Sequence, residues 1–242
     1  WGEEITKNLQ EKSDFYIQPC IKDIVDSMDL SNKKVAQFCC NNGRELLSIS
    51  KHYHVEAIGF DIAENLLEQG KRHADELQLP CEFVAANILD INDSYANTFD
   101  VILFTIGAIT WFEDLHVLFE VASKCLKPGG IMILHDFHPV MNMLPLPGEQ
   151  SYNTESTILL EDKYFTKEPW IENSGMGYIS GEFPSKTFIS FSHSISKIIN
   201  AIISSNMNIL QFEEFDYDVG LSDVYDHKGF PLSMLLVANK ID

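Results

Sequence analysis

Cations are scarce: 17 Lys and Arg stand against 36 Asp and Glu in 242 residues, a formal charge of −19. So acidic a chain lacks the basic patch that releases counterions from nucleic acid or holds an anionic membrane, so neither partner is expected. Long apolar runs are missing too. Ile131 to Leu134 and Leu232 to Ala238 fall far short of the ~20 residues that span a bilayer. Five cysteines, an odd number without the spacing of a disulfide framework, point to reduced thiols and a cytoplasmic compartment. No charged-then-apolar leader is read in the opening residues, which begin with Trp1 and not Met. Internal repeats and low-complexity tracts are absent. What remains is ordinary globular composition, 45% hydrophobic and 22% charged, long enough to bury a large core. A small-molecule partner is expected.

The first thirty residues read as helical, with Ile5, Leu9, Phe15, Ile17, Ile21, Ile24, Val25 and Met28 at spacings near three to four. Asp14 is the expected cap of a second helix, and Pro19 falls in its first turn. From Lys34 the period changes. Val35 to Phe38 reads as a buried strand, Cys39-Cys40-Asn41-Asn42-Gly43 breaks it, and Arg44 to Lys51 resumes helical spacing. The alternation then repeats: strand Val55 to Phe60, helix Ala63 to Leu77, strands Cys81 to Ala85 and Phe99 to Phe104, helix Leu115 to Leu126, strand Ile131 to Leu134. Lys127-Pro128-Gly129-Gly130 reads as the turn ending that last helix. Such alternation predicts a parallel sheet covered on both faces.

After His138-Pro139 the period is lost. Residues 141–184 carry prolines and aromatics, among them Tyr152, Tyr164, Phe165, Trp170, Tyr178 and Phe183, and read as inserted short strands and loops. A helix from His193 to Ser205 and strands at Asn208 to Phe215 and Leu232 to Ala238 close the chain; Val219 to Gly229 reads as an exposed polar linker. The expected organisation is one domain over residues 1–242. It has a helical cover at 1–30, a ligand-binding core at 33–139, an insertion at 140–192, and a closing helix and antiparallel strands at 193–242.

In an open parallel sheet, ligands bind beyond the carboxyl ends of the strands, where strand order reverses. The turn from Cys39 to Gly43 is short, polar and leads into a helix N-terminus. Asp61 stands eighteen residues after Gly43, directly after a strand. It either accepts both hydroxyls of a ribose or caps the helix that follows. Adjacent Cys39 and Cys40 do not have zinc spacing, and no metal is expected.

This succession resembles the class I S-adenosylmethionine-dependent methyltransferases. Gln37 stands at the family's acidic position, Cys39 and Asn41 replace two glycines of its Gly-x-Gly-x-Gly, and Gly43 keeps the third. Gly59-Phe60-Asp61, Ala85-Ala86-Asn87-Ile88, Phe99-Asp100-Val101-Ile102 and Leu126-Lys127-Pro128-Gly129-Gly130 then follow in the family's order, across residues 33–139. The resemblance implies an α/β fold: a doubly wound, mostly parallel seven-stranded sheet of the Rossmann-like methyltransferase type, with N-terminal helices and a β-rich insertion after the fifth strand. It implies S-adenosylmethionine as cofactor and S-adenosylhomocysteine as product. These would be held by Phe38, Cys39, Asn41, Gly43, Asp61, Ile62, Asn87, Ile88, Thr105, Ile106 and Trp111. Asn87 would meet the adenine amine and Ile88 would pack on the ring. Asn tolerates the left-handed backbone, so Asn41 and Asn42 are expected to substitute geometrically for glycine. Neutral Gln37 can hydrogen-bond near the cofactor's amino group but brings no charge.

The implied activity is in-line methyl transfer to an O, N or C atom of a small-molecule acceptor. The alternative, suggested by the eroded glycines, is a cofactor-binding protein with weak or no catalysis. A nicotinamide-dependent dehydrogenase fits less well, because neither Gly-x-Gly-x-x-Gly nor Tyr-x-x-x-Lys is present. Acceptor-side residues should follow the fourth and fifth strands. Trp111 either walls that pocket or packs as core. His135-Asp136-Phe137-His138-Pro139 offers a base with its orienting carboxylate, metal ligands, or a capped loop. His138-Pro139 looks like the His-Pro of the family's small-molecule members, and His138 is the expected catalytic base. Tyr16, His135 and His193 are placed on the acceptor side, His193 alternatively serving only to begin its helix. Residues 140–192 would cover the acceptor pocket or join two subunits of a homodimer.

Overall fold

The computed structural model describes residues 2, 4–147, 152, 160, 162–172 and 187–241. Two short helices come first, α1 (Ile5–Glu11) and α2 (Pro19–Asp26). Pro19 opens α2, but Gln18 holds the cap position. Asp14 is no cap: its carbonyl accepts from the Ile17 N–H, and its carboxylate lies 3.4 Å from the Lys12 ammonium.

The alternating segment folds as the period dictates. It runs β1 (Lys34–Phe38), α3 (Arg44–Tyr53), β2 (Glu56–Asp61), α4 (Glu64–Leu77), β3 (Cys81–Ala85), β4 (Phe99–Thr105), α5 (Leu115–Cys125) and β5 (Leu126–Phe137). The short strands β6 (Trp170–Glu172) and β7 (Phe188–Ser190) then pair with each other, apart from the main sheet. The chain closes with α6 (Ile195–Ser204), β8 (Met207–Phe215) and β9 (Ser233–Lys240). The seven-stranded sheet has the order β3-β2-β1-β4-β5-β9-β8. Strands β1 to β5 are parallel, and β9 enters antiparallel between β5 and β8. Strand order therefore reverses between β1 and β4, which places a crevice at their carboxyl ends.

Because side chains alternate along a strand, one sheet buries two cores. On one face Phe38, Phe60, Phe104 and Phe119 pack edge to face. On the other, Val35, Leu103, Ile133 and Leu235 meet Ile5, Leu9 and Ile21 of the N-terminal cover and Leu46 and Leu47 of α3. Each such side chain contributes about 1.5–3 kcal/mol through removal from water.

Two expectations change. Lys127 to Gly130 does not precede β5 but lies within it. Leu126 pairs with Phe99 and Ile131 with Val101, so the residues between them bulge from a strand that has already begun. Gly129 takes the left-handed turn at φ +71°. The segment from Val219 to Gly229 is not simply exposed: Tyr225 is buried and donates its hydroxyl to the Pro145 carbonyl, packing with Met141, Leu144 and Leu232. Tyr178 and Phe183 lie outside the described residues. Among the described residues no helix is long and apolar enough to cross a membrane.

Candidate ligand cleft at the strand-order switch

The turn after β1 has an alternating backbone. Cys39, Asn41 and Gly43 sit at φ +57°, +54° and +69°. These are the three positions of the eroded glycine motif, and all keep the left-handed conformation although one glycine remains. For a side chain other than glycine that conformation costs roughly 1–2 kcal/mol. Asn41 offsets part of this through its Oδ1, which accepts from the Asn42 N–H at 2.7 Å. Asn42, expected to act likewise, does not adopt a positive φ; it is buried, and its Nδ2 lacks a hydrogen-bond partner. Gly43 is kept for a steric reason. A Cβ there would lie 2.2 Å from Cε1 of Phe83, and one on Gly70 would lie 2.7 Å from the same atom.

Asp61 ends β2 half-buried. Its Oδ2 accepts from the Asn41 N–H at 2.7 Å and its Oδ1 from the Ala63 N–H at 2.9 Å. The helix-start role is thus realised, while each carboxylate oxygen retains capacity for a further donor. Beside it Ile62 is 74% exposed. After β3, Asn87 is exposed; its Oδ1 accepts from the Leu89 N–H and its Nδ2 donates to Asp90 at 2.9 Å. Ile88 points into the core, so it is not the residue offering apolar surface here; Leu89, which sequence reasoning missed, is exposed instead. Phe38 is likewise corrected: fully enclosed between Phe60 and Phe104, it shapes the floor and cannot touch a ligand.

At the end of β4, the Thr105 hydroxyl accepts from Gln37 Nε2 at 2.8 Å, both residues being buried. Ile106 and Gly107 follow half-buried, Gly107 at φ +81°. Trp111 is partly exposed, its ring 6.2 Å from Phe188 of β7, so it stands at the rim against the inserted strand pair. The insertion is stitched there by Phe191, whose N–H donates to Thr110 O while its carbonyl accepts from the Thr110 hydroxyl.

The expected base with its orienting carboxylate does not form. Asp136, 2% exposed, accepts from the backbone N–H groups of Gly107 at 2.6 Å, Phe137 at 2.8 Å and Ile109 at 3.2 Å. Burial pushes its carboxyl up to about 6, against these donors. It holds the β4 loop and touches no imidazole. His138 caps the turn that follows: its Nδ1 accepts from the Val140 N–H at 3.2 Å. Its Nε2 lies 2.9 Å from Glu214 Oε1, and the ring is 4% exposed. A ring accepting at Nδ1 carries its proton on Nε2, toward Glu214, and has no free nitrogen for a substrate proton. Burial lowers the His138 pKa, with Glu214 opposing. His193 also takes its structural alternative, Nε2 bonding the Phe112 carbonyl at 2.8 Å just before the Ser194 cap of α6.

Tyr16 sits at the start of α3, not beside β5. Its hydroxyl accepts from Asn8 Nδ2 at 2.8 Å, and the Arg44 guanidinium lies 5.7 Å from its ring centre. Tyr16 and Arg44 border two grooves of about 440 and 460 Å³. Asn8 and Asn42 line the first, Lys12 and Lys22 the second. His135 is fully buried, its ring edge-on to Phe215, and burial pushes its pKa down to about 4.

Comparison with known proteins agrees with this architecture. Residues 35–130 match a family described as a methyltransferase domain. Phosphoethanolamine N-methyltransferase 3 of Arabidopsis thaliana is 31% identical over 117 residues, 48% of this chain and 24% of that protein. Demethylmenaquinone methyltransferase of Bacillus cereus is 27% identical over 125 residues, 50% of this chain and 52% of the relative. The chain thus spans about a quarter of the plant relative and half of the bacterial one. An S-adenosylmethionine-dependent methyltransferase from Mesorhizobium loti shares the fold, with a TM-score of 0.68 at 16% identity over 96% of this chain and 100% of that one. Residues 35–130 thus match a methyltransferase domain, and the chain shares its fold with S-adenosylmethionine-dependent methyltransferases.

Proposed function

We propose that this chain binds S-adenosylmethionine across the ends of β1, β2 and β3 and transfers its methyl group to a small molecule. The observation that carries this reading is the turn after β1: three alternating left-handed residues tied by Asn41 to the carboxylate of Asp61. Among the described residues the fit extends outward. Asp61 has capacity left for a diol, Ile62 and Leu89 offer exposed apolar surface for a purine, and Asn87 lies beside them. Asn42 Nδ2, unpartnered and buried, and Arg44 border the groove suited to an amino-acid carboxylate, with Tyr16 closing it. When bound, S-adenosylmethionine would supply an electrophilic methyl group for transfer to the acceptor, with S-adenosylhomocysteine as the product.

This chain's own residues position and exclude water. Asp136 fixes the Gly107–Ile109 loop, His138 fixes the chain leaving β5, and Trp111 with the β6–β7 pair shields the rim. With no free imidazole at His138, methyl transfer here relies on orientation, which alone supplies large rate factors. Phosphoethanolamine and demethylmenaquinone, named for the relatives, give the first acceptors to try. Residues 140–192 serve as acceptor-side cover or subunit contact, a role supported by the exposed Phe165, Ile171 and Ile189. Calorimetry with S-adenosylmethionine and S-adenosylhomocysteine tests the cofactor, with mass spectrometry of ligand carried through purification as the independent check. Micromolar binding is expected; absence of binding to both rejects the reading. Binding with no turnover across a broad acceptor panel favours a cofactor-binding protein without catalysis.

A further inference from the structure

The residues that join α1 to α2 have few ties of their own. Their backbone bonds are local, Phe15 N–H to the Lys12 carbonyl at 3.1 Å and Ile17 N–H to the Asp14 carbonyl at 3.0 Å. One stripe of α3 fastens this strap to the body. Arg44, Ser48 and His52 follow one another at intervals of four, so their side chains leave the same face of that helix. Ser48 is fully buried. Its Oγ accepts from the Tyr16 N–H at 3.2 Å and donates to the Ser13 carbonyl at 2.9 Å. A serine inside a helix often turns its hydroxyl back to its own helix backbone; this one serves two backbone groups of the strap. One turn on, His52 lies 2.8 Å from the Ser13 hydroxyl through Nδ1 and 3.3 Å from the Lys22 ammonium through Nε2. An ammonium only donates, so Nε2 accepts and the ring proton sits on Nδ1, toward Ser13. One turn back, the Arg44 guanidinium lies over the Tyr16 ring.

This clasp sets Tyr16 at a particular place. Among the described residues only Tyr16 and Arg44 line both grooves. Tyr16 therefore divides the groove that holds the buried, unpartnered Nδ2 of Asn42 from the one bordered by Lys12 and Lys22. We propose that residues 13–16 are a gate on the cofactor cleft. Ser48 and His52 are positioning residues that hold Tyr16 across it, and the amino-acid end of the cofactor enters and leaves when the strap lifts. This gate rests on the methyltransferase reading above and gives that same site its way of opening. Lifting the strap breaks the two Ser48 bonds, the Ser13–His52 bond and the bond from Asn8 to the Tyr16 hydroxyl. The helices on either side stay where they are, because Ile5, Leu9, Ile21 and Val25 are anchored in the core. A segment tied by few, mostly side-chain bonds between two buried anchors is the kind that opens locally, well below the cost of global unfolding. With Tyr16 swung aside, the two grooves become one channel that leads to Asn42.

The test uses the full chain and S-adenosylhomocysteine, with stopped-flow binding and hydrogen exchange of the strap amides as readouts. Ser48→Ala removes the partner of the Tyr16 N–H, so exchange at residues 13–16 should quicken in the free chain while α3 stays protected. Association and dissociation should then both speed up by about tenfold, the weight of one buried hydrogen bond on an opening equilibrium, and the dissociation constant should stay within about threefold. His52→Leu, at the less buried end of the stripe, should raise both rates by about threefold, and it is the clasp variant to use if Ser48→Ala does not fold. His52→Asn, whose amide keeps a donor near the place of Nδ1, should restore the wild-type rates. Because the clasp acts through Tyr16, Ser48→Ala should add nothing to either rate in a Tyr16→Ala background. A merely structural Ser48 predicts a lower melting temperature with both rates unmoved. Strap amides that exchange faster while the rates hold, or a Ser48→Ala effect that persists without the Tyr16 ring, overturn this proposal alone. So does faster dissociation with unchanged association, which would make Tyr16 an ordinary contact. Failure of the wild-type chain to bind S-adenosylhomocysteine overturns the methyltransferase reading and this proposal with it.

Discussion

Asp61 and Asp136 are both carboxylates near the carboxyl end of a parallel strand, yet they do different work. Asp61 is half-buried and accepts one backbone N–H on each oxygen. Asp136 is enclosed and accepts from at least three, binding the loop after β4 to β5. The first has capacity left for a ligand; the second has spent its capacity on the chain itself. The difference lies in the turns they meet. The β1 turn presents left-handed residues and opens outward, whereas the loop after β4 folds its N–H groups inward. Position at a strand end therefore does not make a carboxylate a ligand residue. The number of backbone donors already pointing at it does.

The sharpest way to break the β1 side of this comparison is Gly43→Ala. With a Cβ 2.2 Å from Phe83, the variant should lose about 3 kcal/mol or more in urea unfolding, and Phe83→Leu should recover part of it. On the other side, Asp136→Asn should cost about 2–3 kcal/mol at pH 8, since an amide nitrogen now faces backbone donors. Asp136 also carries a pH signature. Burial raises its pKa from 3.8 to about 6, so the folded chain holds the proton more tightly than the unfolded chain. The proton-linked part of its contribution is therefore fully present below pH 3.8 and is lost as pH rises through about 6, while the backbone hydrogen bonds persist at pH 8. The stability of the wild type relative to Asp136→Asn should fall across that window and level off above it. A flat difference would remove Asp136 as a buried titrating group.

Asp61→Ala comes next. Loss of a charged hydrogen-bonding group should weaken S-adenosylhomocysteine binding by about 1.5–3 kcal/mol in calorimetry, while Asp136→Asn should act mainly on stability. Unchanged affinity would leave Asp61 as a turn-and-helix anchor. His138→Ala should lower turnover less than tenfold and leave the acidic limb of the pH profile in place. A loss of 10² or more with a flattened limb would return it to the role of base. The smallest effect belongs to Cys39→Gly. Relief of the left-handed side chain should be worth no more than about 1 kcal/mol against the added chain entropy, read as a small shift in urea midpoint.

Much of the fold was legible because burial leaves a period. Val35 to Phe38 and Phe99 to Phe104 are apolar runs too short for helices, and Leu46-Leu47 shows the change of period that follows. The bulge in β5 was misread because Lys-Pro-Gly-Gly is sound turn chemistry; pairing of Leu126 with Phe99 is a long-range fact that local sequence does not carry. Asp61 was found by its place after a strand. The roles of Asp136 and His138 were not, since both depend on distant backbone, Gly107 for one and Leu232 with Glu214 for the other. Left-handed Cys39 had no signal in its own residue type, since cysteine has no preference for that conformation; only its place at a glycine position of the motif pointed to it.

The position of β9 has a consequence in time. It pairs with β5 along its length, although about a hundred residues separate the two strands in the chain. During synthesis β1 to β5 can assemble from near neighbours, but the edge of β5 beside His135 stays bare until residues 233–240 leave the ribosome and slot in antiparallel. Contacts this remote in sequence form late and slowly. A nascent chain therefore completes its nucleotide half first, and a chain halted before residue 233 would present the open edge of β5 to chaperones and to other nascent chains.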